Sequence, residues 1–163
     1  LDATSGASVV PGSGGTGNAE FIAQTIAKAI GADLFKIDTG NHYPRDYAKI
    51  FNVTNTEQRN NVKPKLVGRV ANMAQYTTVI ICCPVWWYKM PPAVQSFLDE
   101  YDLSGKTIYL SVTHGGSRSG SIEREIAAAK PKATVSKNML IINRSETARS
   151  EKRITDWAKG LEL

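Results

Sequence analysis

Residues 77–84, "TTVIICCP", most constrain what this chain can become. The run is far too short to cross a bilayer as a helix, is rich in β-branched side chains, and carries no polar residue between Val79 and Cys83. A strand written this way is buried on both faces. Helices packed above and below a parallel sheet provide that burial, so the segment predicts an α/β layer structure with this strand near its centre. Pro84, with no N–H to give the ladder, marks the end of the strand.

The remainder of the chain repeats the alternation of strand and helix patterns. Ala7 to Val10 is a short apolar piece before a glycine-rich loop, and Ile22, Ile26 and Ile30 then recur at helical spacing before Gly31, a C-cap residue. "DLFKID", residues 33–38, predicts a second strand, while residues 39–75 are polar and predict a long loop with one or two helices. Pro91 and Pro92 suit a helix's first turn, with Val94, Phe97, Leu98 and Tyr101 facing inward. "TIYLSV", residues 107–112, predicts the fourth strand, and Ser121 is placed to cap a helix carrying Ile122 and Ile126. "NMLIIN", residues 138–143, predicts the fifth; Ser150 is placed to cap a last helix with Ile154, Trp157, Ala158 and Leu161 on one face. The expected architecture is one domain over residues 1–163, a doubly wound five-stranded parallel sheet with helices on both faces. Residues 1–8 read as a polar leader, either a tag or the remnant of a processed precursor.

Twenty Lys and Arg against fifteen Asp and Glu make the chain +5, and the excess lies in its C-terminal forty residues. No contiguous basic run or interleaved aromatic platform accompanies it, so nucleic acid is not an expected partner. Cys82 and Cys83 are adjacent and point to opposite faces of a strand, which suits neither a disulfide between them nor a metal site. Read as buried reduced thiols, they fit the cytoplasm, with export or tethering through a processed N-terminus as the alternative. No apolar run is long enough for a transmembrane helix.

Ligands of open parallel sheets sit beyond the carboxyl ends of the strands, which directs attention to the loops after strands one, three and four: "PGSGGTGN", "PVWWYKM" and "THGGSRSG". In the first, converging backbone amides and a following helix N-terminus make a phosphate the natural guest. Asn18-Ala19 stands where a Walker loop needs Lys-Ser or Lys-Thr, so nucleotide hydrolysis is not expected. Two ligands remain. Gly12, Gly14 and Gly17 match the GxGxxG dinucleotide fingerprint, with Asp38 placed for a ribose hydroxyl, which reads as an NAD(P)-dependent dehydrogenase. Against this, the chain has no YxxxK pair and no room for a substrate domain. Alternatively "TGN" holds one terminal phosphate, the aromatics of "PVWWYKM" wall a flat heterocycle, and the small residues of "THGGS" admit a ring edge. Trp86 and Trp87 have a competing role as packing over the helix that begins near Pro91.

The stretches "PVWWYKMPPAVQSFLDEYDLSGKTIYLSVTHGGSRSG" and "GTGNAEFIAQTIAKAIGADLFKID" resemble the bacterial flavodoxin-like domains that bind flavin mononucleotide, FMN. The resemblance implies strand order 2-1-3-4-5 with FMN at the switch point, flavodoxin being the standard instance of that order. It implies that Ser13, Gly15, Thr16, Gly17, Asn18 and Ala19 surround the phosphate. Pro84, Val85, Trp86, Trp87 and Tyr88, with Thr113, His114, Gly115, Gly116 and Ser117, would bound the isoalloxazine ring. It further implies an electron carrier or an NAD(P)H-dependent reductase of quinone-type acceptors, exchanging electrons with a partner protein or a small molecule. The flavin carries the chemistry, and His114, a ring contact, is the one candidate general acid. Three departures stand out: Gly14 and Ala19 replace family hydroxyls, the first strand is short, and the charge is +5 where electron shuttles are acidic. They sustain a third reading, a flavodoxin-fold binding module whose FMN site is weakened or lost.

Overall fold

In the computed structural model, which describes residues 15–40 and 47–163, the run at residues 77–84 becomes a strand with Ile81 and Cys83 buried on one face and Ile80 and Cys82 half-buried on the other. This strand, β1 (Thr78–Pro84), pairs in parallel with β2 (Thr107–His114), Thr78 opposite Thr107 and Pro84 opposite Thr113. On its other side β2 carries a strand in two pieces. The first, β3 (Thr134–Val135), lies beside Thr107 and Ile108, and the second, β4 (Leu140–Asn143), beside Ser111 to His114. Between these pieces the chain bulges, and the Ser136 N–H still reaches the Ile108 carbonyl at 2.9 Å. The predicted fifth strand therefore begins at Leu140 rather than at residue 138.

Five helices cover the sheet: α1 (Asn18–Ile30), α2 (Tyr47–Arg59), α3 (Pro92–Glu100), α4 (Ile122–Ala129) and α5 (Glu151–Lys159). Side-chain alternation along the strands divides the core in two. Ile81, Cys83, Ile108, Leu110 and Val112 pack with Phe97 and Leu98 of α3 and with Ile122 and Ile126 of α4. Ile80, Cys82, Leu140 and Ile142 pack instead with Ile22 and Ile26 of α1 and with Ile154 and Ala158 of α5. Full burial of a side chain such as Leu98, Leu110 or Ile154 contributes about 1.5–3 kcal/mol, and both faces of β1 share in it. Helices on both faces are thus as expected.

The N-terminal half differs from expectation. Residues 33–38 are extended but join no ladder among the described residues, so four strands at three sheet positions stand there rather than five strands. Their predicted neighbour, residues 7–10, lies outside the described residues, as do the leader and Gly12, Ser13 and Gly14. Phe35 and Ile37 nonetheless face the core on the α3 side, and the Phe35 ring lies 6.2 Å from that of Phe97. The Asp38 carbonyl accepts the Val67 N–H at 2.7 Å. Residues 39–75 resolve, where described, into α2 and one 3-10 turn, Met73–Gln75.

Gly31 ends α1 in the left-handed conformation, its N–H on the Ala27 carbonyl, as expected. Ser121 and Ser150 do occupy the N-cap positions of α4 and α5, but neither side chain caps; the Ser150 hydroxyl donates back to the Glu146 carbonyl. Among the described residues no helix is long and apolar enough to cross a membrane.

Candidate functional site

Parallel pairing brings the carboxyl ends of β1, β2 and β4 to one edge of the sheet. The start of α1 joins them there. Just past its C-cap, Asp33 accepts a hydrogen bond from the Tyr76 hydroxyl at 2.7 Å, and Tyr76 leads into the amino end of β1. A helix of 13 residues spans about 20 Å and a strand of 7 residues about 23 Å, so α1 returns along the sheet and its N-terminus lies at the carboxyl edge. The described part of the first loop, Gly15 to Asn18, thus shares this edge with the second and third loops.

The first loop enters α1 through Gly15, at φ +105°, a conformation glycine adopts far more readily than other residues. Gly17 is extended and supplies no side-chain cap, and helix geometry leaves the first N–H groups of α1 without intrahelical partners. Asn18 is buried, 4% exposed, and its Oδ1 has no hydrogen-bond partner. An unsatisfied buried polar atom costs about 1–3 kcal/mol, and among the described residues this oxygen finds no donor. Thr16 and Ala19 are half-buried beside it. Asp38, the acidic element of the dinucleotide fingerprint, is engaged locally: it accepts from the Gly40 N–H at 2.8 Å and pairs with Lys36 at 3.4 Å.

The second loop is a two-residue hairpin. Trp86 and Lys89 exchange both backbone hydrogen bonds, at 3.0 and 2.9 Å, while Trp87 and Tyr88 between them have φ of +54° and +64°. Both central residues being left-handed makes this a type I′ turn, normally the territory of Asn-Gly. Each side chain so placed costs about 1–2 kcal/mol. Trp87 is held by α2: its indole N–H donates to the Thr54 hydroxyl at 3.3 Å and its ring meets Phe51 edge-on at 4.1 Å. Gln58 of α2 donates to the Met90 carbonyl at 2.7 Å. The packing role thus describes Trp87, although its support is α2 rather than α3, whereas Tyr88 stands 69% exposed.

The third loop begins where β2 ends. Thr113 is buried at the strand's last turn and its carbonyl takes the Val85 N–H at 2.9 Å, tying the roots of the two loops together. His114 Nδ1 accepts the Gly116 N–H at 3.0 Å, so in the neutral ring the proton resides on Nε2. Partial burial and then the Arg118 guanidinium hold its pKa below the ordinary histidine value, Glu146 opposing them. Gly115 and Gly116 are exposed and Ser117 half-buried.

A clasp joins the second and third loops. The Ser121 N–H donates to the Tyr88 carbonyl at 2.8 Å, and the Ser121 hydroxyl lies 2.9 Å from both that carbonyl and Glu125 Oε1, one proton serving the two acceptors. The other Glu125 oxygen accepts the Met90 N–H at 2.8 Å. Gly120, at φ +55°, lies so close that a Cβ there would fall 2.2 Å from the Tyr88 oxygen. The clasp, the α2 anchor and Arg144 escaped the sequence reading. Arg144 follows β4 at the same carboxyl edge, where the strand-end rule was available to find it.

A groove of about 530 Å³ lies elsewhere, between residues 63–69 and the C-terminal end of α3. Ion pairs Lys63–Asp99 and Arg69–Glu100, at 2.6 and 2.5 Å, bind that segment to the helix. None of its lining residues belongs to the three loops.

The sequence profile of the family described as Flavodoxin matches residues 8–161. No curated protein matches the chain. Among solved structures, a candidate flavoprotein from Bacteroides eggerthii DSM 20697 is similar with a TM-score of 0.74, at 24% identity over 88% of this chain and 90% of that one. Another candidate flavoprotein, from Bacteroides uniformis ATCC 8492, is similar with a TM-score of 0.64, at 24% identity over 80% and 88% of the two chains. At that identity the likeness is one of fold.

Proposed function

This chain belongs to the flavodoxin family, and from that premise we propose that it binds FMN at the carboxyl edge of its sheet and passes electrons through it. Family membership supports a flavin-associated redox role; FMN in particular, and the residues that hold it, are our reading. The observation that carries it is the meeting at one edge of an uncapped helix N-terminus, a rigid aromatic turn and a glycine loop. One anion and one flat ring match those three features. The buried, partnerless Asn18 Oδ1 fits a guest that brings hydroxyl or N–H donors along with its phosphate.

Bound FMN would supply hydride or single-electron transfer at its ring. The chain's own contribution is placement. Amides of Gly15 to Asn18 would hold the phosphate, and the sequence of that loop adds the hydroxyls of Ser13 and Thr16. Tyr88, with Trp86, offers an aromatic face whose backbone the Ser121 clasp immobilises. Gly116, where a Cβ would meet nothing within 4 Å, leaves room for a ring edge, and His114 keeps a proton on Nε2 while Nδ1 orders its own loop.

We read the protein as a carrier or an NAD(P)H-fed reductase of quinone-type acceptors, with a redox partner protein or a small molecule completing the exchange. The +5 charge favours the reductase branch over an acidic shuttle. The visible spectrum of the purified protein and an FMN fluorescence-quenching titration test the cofactor. Flavin absorption and stoichiometric quenching are expected, and a colourless protein that leaves FMN fluorescence unchanged would favour the binding-module reading instead. Stopped-flow mixing of the FMN-loaded protein with NADPH then separates the branches: rapid bleaching marks a reductase, its absence a carrier.

A further inference from the structure

Arg144 sits beside the glycine loop with no partner for its charge among the described residues. Its N–H donates to the His114 carbonyl at 2.9 Å, which continues the β2–β4 ladder and fixes its backbone at the root of the third loop. Its guanidinium lies against Gly115: a Cβ on that glycine would fall 3.1 Å from Cζ and 3.3 Å from both Nε and one terminal nitrogen. Three guanidinium atoms at nearly equal distance mean that the group lies flat on the loop, with its N–H donors directed outward in its own plane. The side chain is half-buried, yet no carboxylate or other acceptor pairs with it among the described residues.

A half-buried cation that the fold leaves uncompensated favours any negative charge that arrives beside it. Arg118, near enough to His114 to depress its pKa, adds to the positive potential, and Glu146 partly offsets it. In the cofactor reading, on which this inference rests, the same loop borders the flavin ring. Two-electron reduction of a flavin with uptake of a single proton adds one negative charge to the ring, while the uncharged oxidised ring gains little from a neighbouring cation.

We propose that Arg144 is a potential-setting residue, the counter-charge that stabilises reduced over oxidised flavin in this site. The guanidinium acts on charge and does not itself exchange protons or electrons.

The experiment measures the dissociation constants of oxidised and dithionite-reduced FMN, and the midpoint potential, for wild type, Arg144→Gln and Arg144→Lys. Arg144→Gln is expected to weaken reduced FMN about tenfold more than oxidised FMN, which is about 30 mV more negative for a two-electron couple. Arg144→Lys, which keeps the charge, is expected to lie close to wild type, and the Gln effect is expected to shrink at high ionic strength. Equal weakening of both redox forms, or the same potential in Gln and Lys variants, would overturn the inference while leaving the cofactor reading intact. Wild-type protein that takes up no FMN would instead overturn the cofactor reading, and this inference with it.

Discussion

Gly120→Ala tests the clasp that holds the two ring-side loops together. At φ +55° any side chain costs about 1–2 kcal/mol. The added methyl would also lie 2.2 Å from the Tyr88 oxygen, 2.7 Å from its carbonyl carbon and 3.0 Å from its Cα, all of them backbone atoms. Ordinary van der Waals contact is recovered only if the loops part by about 1 Å, which strains or breaks the Ser121 N–H and hydroxyl bonds to Tyr88. Those bonds contribute about 1 kcal/mol each. The sum is a loss of about 3–4 kcal/mol, and in a chain of this size the melting temperature falls on the order of 10 °C. Urea unfolding followed by far-UV circular dichroism measures it. Gly116→Ala is the control, because its φ of +144° carries a conformational penalty but nothing lies within 4 Å of the new methyl. Equal midpoints for the two alanine variants would show that the overlap with Tyr88 contributes nothing, and the clasp argument would be lost.

Two further predictions concern titration. The folded pKa of His114 is depressed, so its contribution to stability is complete above the unfolded value of about 6.5 and is lost as pH falls from there through the folded value. Protonation also removes the acceptor for the Gly116 N–H. Wild type should therefore lose more stability between pH 7.5 and 5 than His114→Gln, and a His114 resonance titrating at or above 6.5 would contradict this. Burial raises the thiols of Cys82 and Cys83 to about 12, opposed at Cys82 by a Ser111 hydrogen bond and reinforced at Cys83 by its neighbours Cys82 and Glu125. Both should resist a thiol-reactive disulfide reagent at pH 8 until denaturant is added. Their stabilisation is complete below about pH 8.5 and declines as pH rises towards 12; fast native labelling of either thiol would disprove the assignment.

What could be read from the chain, and what could not, divides by the range of the interactions that decide it. β1, β2 and the stripes of α1, α3 and α5 were legible because burial writes itself into each residue: Val79 to Cys83 are apolar without exception, and Ile22 and Ile26 sit one helical turn apart. The 33–38 segment has the alternation of a strand, and Phe35 and Ile37 do turn inward. Its hydrogen bonding, however, depends on which segment lies alongside, and its expected neighbour, residues 7–10, lies outside the described residues. Ser121 and Ser150 show the same limit, since cap positions were legible but not where the hydroxyls turn. The three loops of the site were located by topology alone. Their internal geometry was not, because the type I′ signal is Asn-Gly, and Trp87-Tyr88 carries no trace of it.

That turn explains where the fold concentrates strain. Two adjacent aromatic residues in the left-handed region cost about 2–4 kcal/mol together, and they persist only because contacts distant in sequence hold them. Trp87 is fixed from one side by Phe51 and Thr54 of α2, and the Tyr88 carbonyl from the other by Ser121. Between these anchors Tyr88 remains 69% exposed. A tyrosine on a mobile loop would lose backbone as well as side-chain freedom on meeting a ligand, whereas one whose backbone is already immobilised gives up only its side-chain rotamers. Stability is thus given up within the turn and recovered as preorganisation at its tip. The exposed Tyr88 ring, rather than the half-buried Trp87 indole beside it, is the part of the "WWY" sequence most open to solvent.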